Sequence, residues 1–144
     1  MTIPMWMLLG FSTWTLLLLM ATVGVYRWVR ILFSAVPIAS FRSDQPEGED
    51  WYWRGARAHA NCVENLPVFA AIVAVISALG IDSPAVSCLS IIILVTRVCQ
   101  SLVHVCHVQT NRFVAVRFTF YFVQLVCFLA LMVIAAWYAA SSPT

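Results

Sequence analysis

Lysine is absent from this sequence, and charge of either sign is scarce. Eight arginines and six acids make up 10% of its 144 residues, while 62% are hydrophobic. A soluble domain of this length could not hide so much apolar surface in one core. The five cysteines, Cys62, Cys88, Cys99, Cys106 and Cys127, are odd in number, form no CxxC pair and all sit in apolar stretches. That excludes a disulfide framework and reads as small apolar packing residues. No basic segment precedes the first apolar run; Arg27 and Arg30 follow it. The run is therefore expected to stay in the mature protein and not to be removed as a signal peptide. Internal repeats and low-complexity segments are also missing.

What is present is hydrocarbon in four blocks, near residues 5–26, 60–80, 84–107 and 113–138. Each is long enough to cross a bilayer, which takes about 20 residues. The expected fold is all-α, an integral membrane four-helix bundle forming one domain over 1–144, with helices at about 5–30, 55–80, 84–107 and 113–138. Gly80 closes the second helix and Pro84 opens the third, which makes the middle pair an antiparallel hairpin. Pro67 is expected to kink the second helix just after Glu64. The loop over 37–54 is the one sizeable polar stretch, broken by Pro37, Pro46 and Gly48 and carrying Asp44, Glu47, Glu49 and Asp50.

Orientation follows from the arginines. Arg27, Arg30, Arg42, Arg54 and Arg57 flank the first loop, Arg112 and Arg117 flank the third, and the second turn has none. The positive-inside rule places loops one and three in the cytoplasm and both termini outside it. Trp51, Tyr52 and Trp53 fall where an interfacial aromatic belt is expected.

The polar residues within the blocks recur at helical spacing. Arg54, Arg57, Asn61 and Glu64 share one face of the second helix. Arg97, Gln100, His104 and His107 form a stripe on the third, and Arg117, Tyr121 and Gln124 form one on the fourth. All three stripes fall at the same depth, toward the cytoplasmic side. A charged side chain in the bilayer costs about 2.5–3.5 kcal/mol, so such residues face a bundle interior or a wet cavity. One stripe would serve as a clamp between helices. Three coincident stripes point to a polar cavity. A salt-bridge network, with Glu64 answering Arg97 or Arg117, is the plainer alternative. Glu64, read as the one buried acid, is however outnumbered by cations, and the surplus favours an anionic ligand. Arginine suits carboxylates, since its planar fork binds them at two points and stays charged when buried.

The segment "RAHANCVENLP" at 57–67 resembles the signature of the MAPEG superfamily, membrane-associated proteins in eicosanoid and glutathione metabolism. Its members include microsomal glutathione transferases, microsomal prostaglandin E synthase and leukotriene C synthase. The family pattern Arg-Ala-x-x-Asn-x-x-Glu is matched by Arg57, Ala58, Asn61 and Glu64. "TRVCQSLVHV" at 96–105 and "VRFTFYFVQLVCF" at 116–128 are similar to the third and fourth helices of bacterial members. The resemblance implies a homotrimer in a bacterial inner membrane, with glutathione as co-substrate between neighbours near the cytoplasmic face. It further implies that Arg54, Arg57, His59, Asn61 and Glu64 hold the tripeptide's charged ends, with Arg30 contributing. Arg97, Gln100 and His104 would add to the binding surface from the third helix. Arg117 would stabilise the glutathione thiolate, with Tyr121 close by. Ala60 stands where some members carry a second arginine, and His104 where an aromatic is expected.

The expected activity is a glutathione transferase, with peroxidase activity beside it, attacking an apolar electrophile or lipid hydroperoxide that arrives from the membrane lipid. The rival from another class is a non-catalytic lipid-binding or scaffold protein of the same fold. His104 and His107, at i and i+3, would be the start of a metal site, but histidines on a polar helical stripe are more often hydrogen-bonded pocket residues. Neither a metal nor a nucleic-acid partner is expected.

Overall fold

The computed structural model describes residues 1–34, 36–41, 49–108 and 110–141. Four helices among them are long and apolar enough to cross a membrane: α1 (Ile3–Ser34), α2 (Asp50–Ala78), α3 (Pro84–Cys106) and α4 (Asn111–Ser141). No strand occurs among the described residues. A 3-10 turn, Ile38–Ser40, follows α1. The loop residues Arg42 to Gly48, with Asp44 and Glu47, lie outside the described residues. The chain is an integral membrane protein, and its fold is an all-α four-helix bundle.

The helix ends follow from local chemistry. Pro4 occupies the first turn of α1 and Pro84 that of α3, positions where the missing N–H costs nothing. Ser83 caps α3, its Oγ accepting from the Val86 N–H at 3.3 Å. Gly80 takes φ +65, a conformation that glycine adopts without penalty. The Ile81 N–H then reaches back to the Ile76 carbonyl at 3.1 Å and closes α2. The tight α2–α3 hairpin expected from Gly80 and Pro84 is present.

Three of the helices, α1, α2 and α4, overrun their apolar blocks. α1 has 32 residues, roughly 48 Å at 1.5 Å per residue, against about 30 Å of hydrocarbon. α2 starts at Asp50, before the expected residue 55, and α4 runs past 138 to Ser141. Hydropathy marks where hydrocarbon ends. A helix whose backbone bonds are internal has no reason to stop there. Pro67 lies inside α2, and the helix runs through it.

Close packing joins α1 to α2. A Cβ built on Gly55 would fall 2.5 Å from the Thr22 Cβ. On the α1 side this contact lies within a π-helical stretch, Met20–Gly24. Toward the arginine-bearing end, Tyr26 stacks on Tyr52 with centroids 4.1 Å apart, and Arg27 Nε donates to Tyr52 Oη at 3.1 Å. At mid-bundle Phe69 bridges three helices, 5.9 Å from Phe11 and 6.0 Å from Phe128 between ring centroids. Outward faces carry Trp6, Leu16, Leu17, Trp28, Phe33, Phe122, Val133 and Trp137, all exposed, as a lipid-facing surface requires. The five cysteines are free: Cys62 and Cys127 are buried, whereas Cys88 and Cys106 are exposed. The packing role expected of the cysteines therefore fits the first two and not the second two.

Candidate functional site

The end of the bundle where α2 and α4 begin and α3 finishes holds two adjoining clefts. The outer one, about 410 Å³, is lined by Asp50, Trp53, Arg54 and Arg57 of α2, His104 of α3, Val108 beyond it, and Arg117 of α4. The deeper one, about 260 Å³, is lined by Asn61, Gln100, His104, Val114, Arg117, Phe118 and Tyr121. His104 and Arg117 belong to both walls.

Helix periodicity places these side chains. Ala58 and Cys62 form the contact face of α2, almost wholly buried. Arg54, Arg57 and Asn61 then lie on its flank, toward α3 and α4. Arg54 also ties the helices together, its Nε donating to the Val105 carbonyl at 3.2 Å. That carbonyl is in the last turn of α3, where helix geometry leaves acceptors without internal partners.

Below the clefts the polar groups pair between helices. Gln124 Nε2 donates to Gln100 Oε1 at 3.2 Å. Cys62 Sγ and Ser101 Oγ are 3.5 Å apart, and Ser101 Oγ also donates to the Arg97 carbonyl at 2.9 Å. His104 is only 9% exposed, and its Nδ1 has no partner. A buried ring nitrogen without a partner is costly, and here it sits on the wall common to both clefts.

Seven of the eleven residues expected at the site line the clefts: Arg54, Arg57, Asn61, Gln100, His104, Arg117 and Tyr121. Four line neither. Arg30 is exposed, its guanidinium 5.1 Å from the Tyr26 ring centroid. His59 is half-buried, with Nδ1 unpartnered. Arg97 is 1% exposed, 5.6 Å from the Phe11 ring centroid, with Nε and Nη2 unpartnered. Glu64 is exposed on α2, not buried as expected. The cause is rotational: Glu64 follows Cys62 by two residues, about 200° around the helix, and Cys62 points inward. No ion pair joins Glu64 to Arg97 or Arg117 among the described residues.

Five lining residues were not among those expected at the site: Asp50, Trp53, Val108, Val114 and Phe118. Asp50, Trp53 and Arg57 follow one another at i, i+3 and i+7, a signal masked by reading Trp53 as interfacial belt. Val114, Phe118 and Tyr121 have the same kind of spacing on α4. Among the described residues, no three His, Cys, Asp or Glu side chains gather as a metal site.

The outer cleft is strongly cationic. Arg54, Arg57 and Arg117 face it, with Asp50 as the one acid among the described lining residues. Beside a low-dielectric wall, three fixed guanidinium groups against one carboxylate favour an anion with more than one acidic group. The deeper cleft grades from amides and imidazole on one side to Val114, Phe118 and Tyr121 on the other. This suits a polar reactant meeting an apolar one at Arg117.

No curated protein and no solved structure matches the chain. The family model of the MAPEG family matches residues 4–137. The match runs from the first turn of α1 into the final turns of α4, and on it the chain belongs to the MAPEG family.

Proposed function

We propose that this protein is a membrane-embedded glutathione transferase. It would activate the thiol of glutathione as a thiolate for attack on an apolar electrophile, and with a second thiol it would reduce a lipid hydroperoxide. The observation that carries this reading is the outer cleft, where Arg54, Arg57 and Arg117 stand with Asp50 as the one acid among the described lining residues. Glutathione brings two carboxylates for the arginines, an amine for a carboxylate and peptide groups for Asn61. The thiol itself is a poor nucleophile, and conjugation requires the thiolate. Arg117 suits the thiolate because a neighbouring cation favours the charged form, and because it borders both clefts. Tyr121, beside it in the deeper cleft, supplies a hydroxyl within the same wall.

The working unit is proposed to be a homotrimer in a bacterial inner membrane, with both termini outside the cytoplasm and the clefts on the cytoplasmic side. Exposure of Arg30 and Glu64 on the single chain supports this assembly. Both would then meet glutathione from a neighbouring subunit's side of the site. A scaffold role gives no use to three arginines gathered around one cleft.

Calorimetry of the detergent-solubilised protein with glutathione tests the reading, followed by conjugation assays on halo-aromatic and hydroperoxide substrates. Saturable binding with thiol-dependent turnover is expected. Absence of glutathione binding would sink it.

A further inference from the structure

His104 and Arg117 are the two described residues that border both clefts. With glutathione in the cationic outer cleft and an apolar reactant in the deeper one, the reacting atoms meet between them. Arginine donates hydrogen bonds but keeps its proton at any working pH. Asp50 lines only the outer cleft and Tyr121 only the deeper one, while His59 and His107 line neither. Among the described residues, the proton carrier common to both walls is therefore His104.

We propose that His104 is an acid–base catalytic residue for hydroperoxide reduction. It takes the proton of the glutathione thiol and delivers it to the alkoxide that leaves as the O–O bond breaks. This inference rests on the transferase reading above and adds a residue and a proton path to its peroxidase branch.

Position and chemistry both support it. His104 lies in the last turn of α3, which Arg54 holds against α2 through the Val105 carbonyl at 3.2 Å. The ring is buried with Nδ1 sealed and unpartnered, which leaves Nε2 as the nitrogen for a ligand. Asp50, Arg54 and Arg57 of α2 and Arg117 and Tyr121 of α4 share its walls. The arginines suit the thiolate's charge, but none of them can part with a proton. Imidazole both accepts and returns one near neutral pH. The need is specific to peroxide: an alkoxide is a strong base and a poor leaving group unless protonated, whereas a halide ion leaves without a proton.

The step balances with the hydroperoxide as oxidant and glutathione as reductant. The thiolate sulfur donates its electron pair to the terminal peroxide oxygen, so an S–O bond forms and the O–O bond breaks. The bonding pair leaves on the alkoxide oxygen, which takes the proton from His104 and departs as an alcohol. The sulfur is now a sulfenic acid. A second glutathione thiol attacks it, giving the disulfide and water.

The test compares turnover of cumene hydroperoxide with that of chlorodinitrobenzene at saturating glutathione, using the detergent-solubilised full chain. Glutathione affinity is measured by calorimetry on the same samples, and assembly by size-exclusion chromatography. General acid–base catalysis contributes about 10²–10⁴-fold, so His104→Gln should lower the hydroperoxide-to-halide ratio of kcat at least about a hundredfold. A purely structural or binding role would slow both reactions together and leave the ratio as it was. His104→Ala carries the same comparison where the glutamine variant fails to assemble, and added imidazole should restore part of its hydroperoxide rate. An unchanged ratio with glutathione still bound would overturn this inference alone. So would a wild-type protein that conjugates the halide but leaves the hydroperoxide intact. Failure of the wild-type protein to bind glutathione would remove the transferase reading and this inference with it.

Discussion

Gln124 of α4 donates its amide to the side-chain oxygen of Gln100 of α3 at 3.2 Å, and both residues are buried. Gln100 also lines the deeper cleft. The bond therefore joins two helices and fixes one wall of the candidate site. Interhelical hydrogen bonds in membranes are worth about 0.6 kcal/mol on average and up to about 1.7. Gln124→Leu is expected to destabilise the protein by an amount in that range, read by detergent-driven unfolding in mixed micelles. Pairing it with Gln100→Leu should recover much of the loss, because no amide is then left unpartnered. A double variant as unstable as the sum of the singles would show that the bond is not the cause.

Arg97 sets two opposed effects against each other. A cation over a ring in dry surroundings gains about 2 kcal/mol, and Arg97 lies over Phe11 in that way. Burying an ion costs several kcal/mol, and here Nε and Nη2 have no partner to offset it. Desolvation is the larger. Arg97→Met should therefore fold with equal or greater stability by the same unfolding assay. A marked loss would mean that the guanidinium finds a counter-ion in the assembled protein.

Gly55→Ala pits helix propensity against a clash. Alanine gains up to about 1 kcal/mol in a helix interior, whereas overpacking a tight contact costs about 1–3 kcal/mol. The obstacle is the buried Thr22, whose hydroxyl is tied to the Leu18 carbonyl at 2.6 Å, so it cannot swing away. The substitution should lower the thermal midpoint in detergent, and Thr22→Gly in the same chain should restore part of it. A Gly55→Ala protein as stable as wild type would show that α1 and α2 can separate here at little cost.

Glu64 discriminates a folding role from a binding role. Exposed on α2, it should tolerate Glu64→Gln with a stability change within about 0.5 kcal/mol. A hydrogen bond to a charged group is worth about 1.5–3 kcal/mol, so glutathione affinity should fall by at least roughly tenfold on the proposed reading. Calorimetry and unfolding on one preparation decide this. Loss of folded protein with affinity intact among the remainder would assign Glu64 to folding.

Arg117 carries the mechanistic prediction. Thiolate absorbance in the ultraviolet should appear when glutathione binds at neutral pH. Each pKa unit by which a cation favours the thiolate corresponds to about 1.4 kcal/mol. Arg117→Ala should abolish the absorbance and slow conjugation strongly, with a modest loss of affinity, because Arg54 and Arg57 still face the carboxylates. Arg117→Lys should recover part of the rate. Wild-type conjugation by Arg117→Ala would take the catalytic role from this residue and pass it to Tyr121.

Hydropathy alone located four spans, because a helix crossing hydrocarbon must be apolar over a set length, and that requirement is written residue by residue. The α2–α3 hairpin was equally legible, since Gly80 and Pro84 act through local backbone geometry. Spacing at 3 and 4 residues also determined that Arg54, Arg57 and Asn61 share a flank, and these three do line the clefts. It could not say which way each stripe turns once the helices pack. Arg97 and Glu64 have the same spacing as their neighbours, yet one is sealed against Phe11 and the other faces outward. Rotation about a helix axis is decided by contacts between distant segments: Gly55 on Thr22, Phe69 between Phe11 and Phe128, and Gln124 on Gln100. Periodicity fixes relative angles within one helix and leaves its absolute orientation free. That last degree of freedom belonged to the tertiary structure, and with it the choice of Phe118, Trp53 and Asp50 as walls of the site.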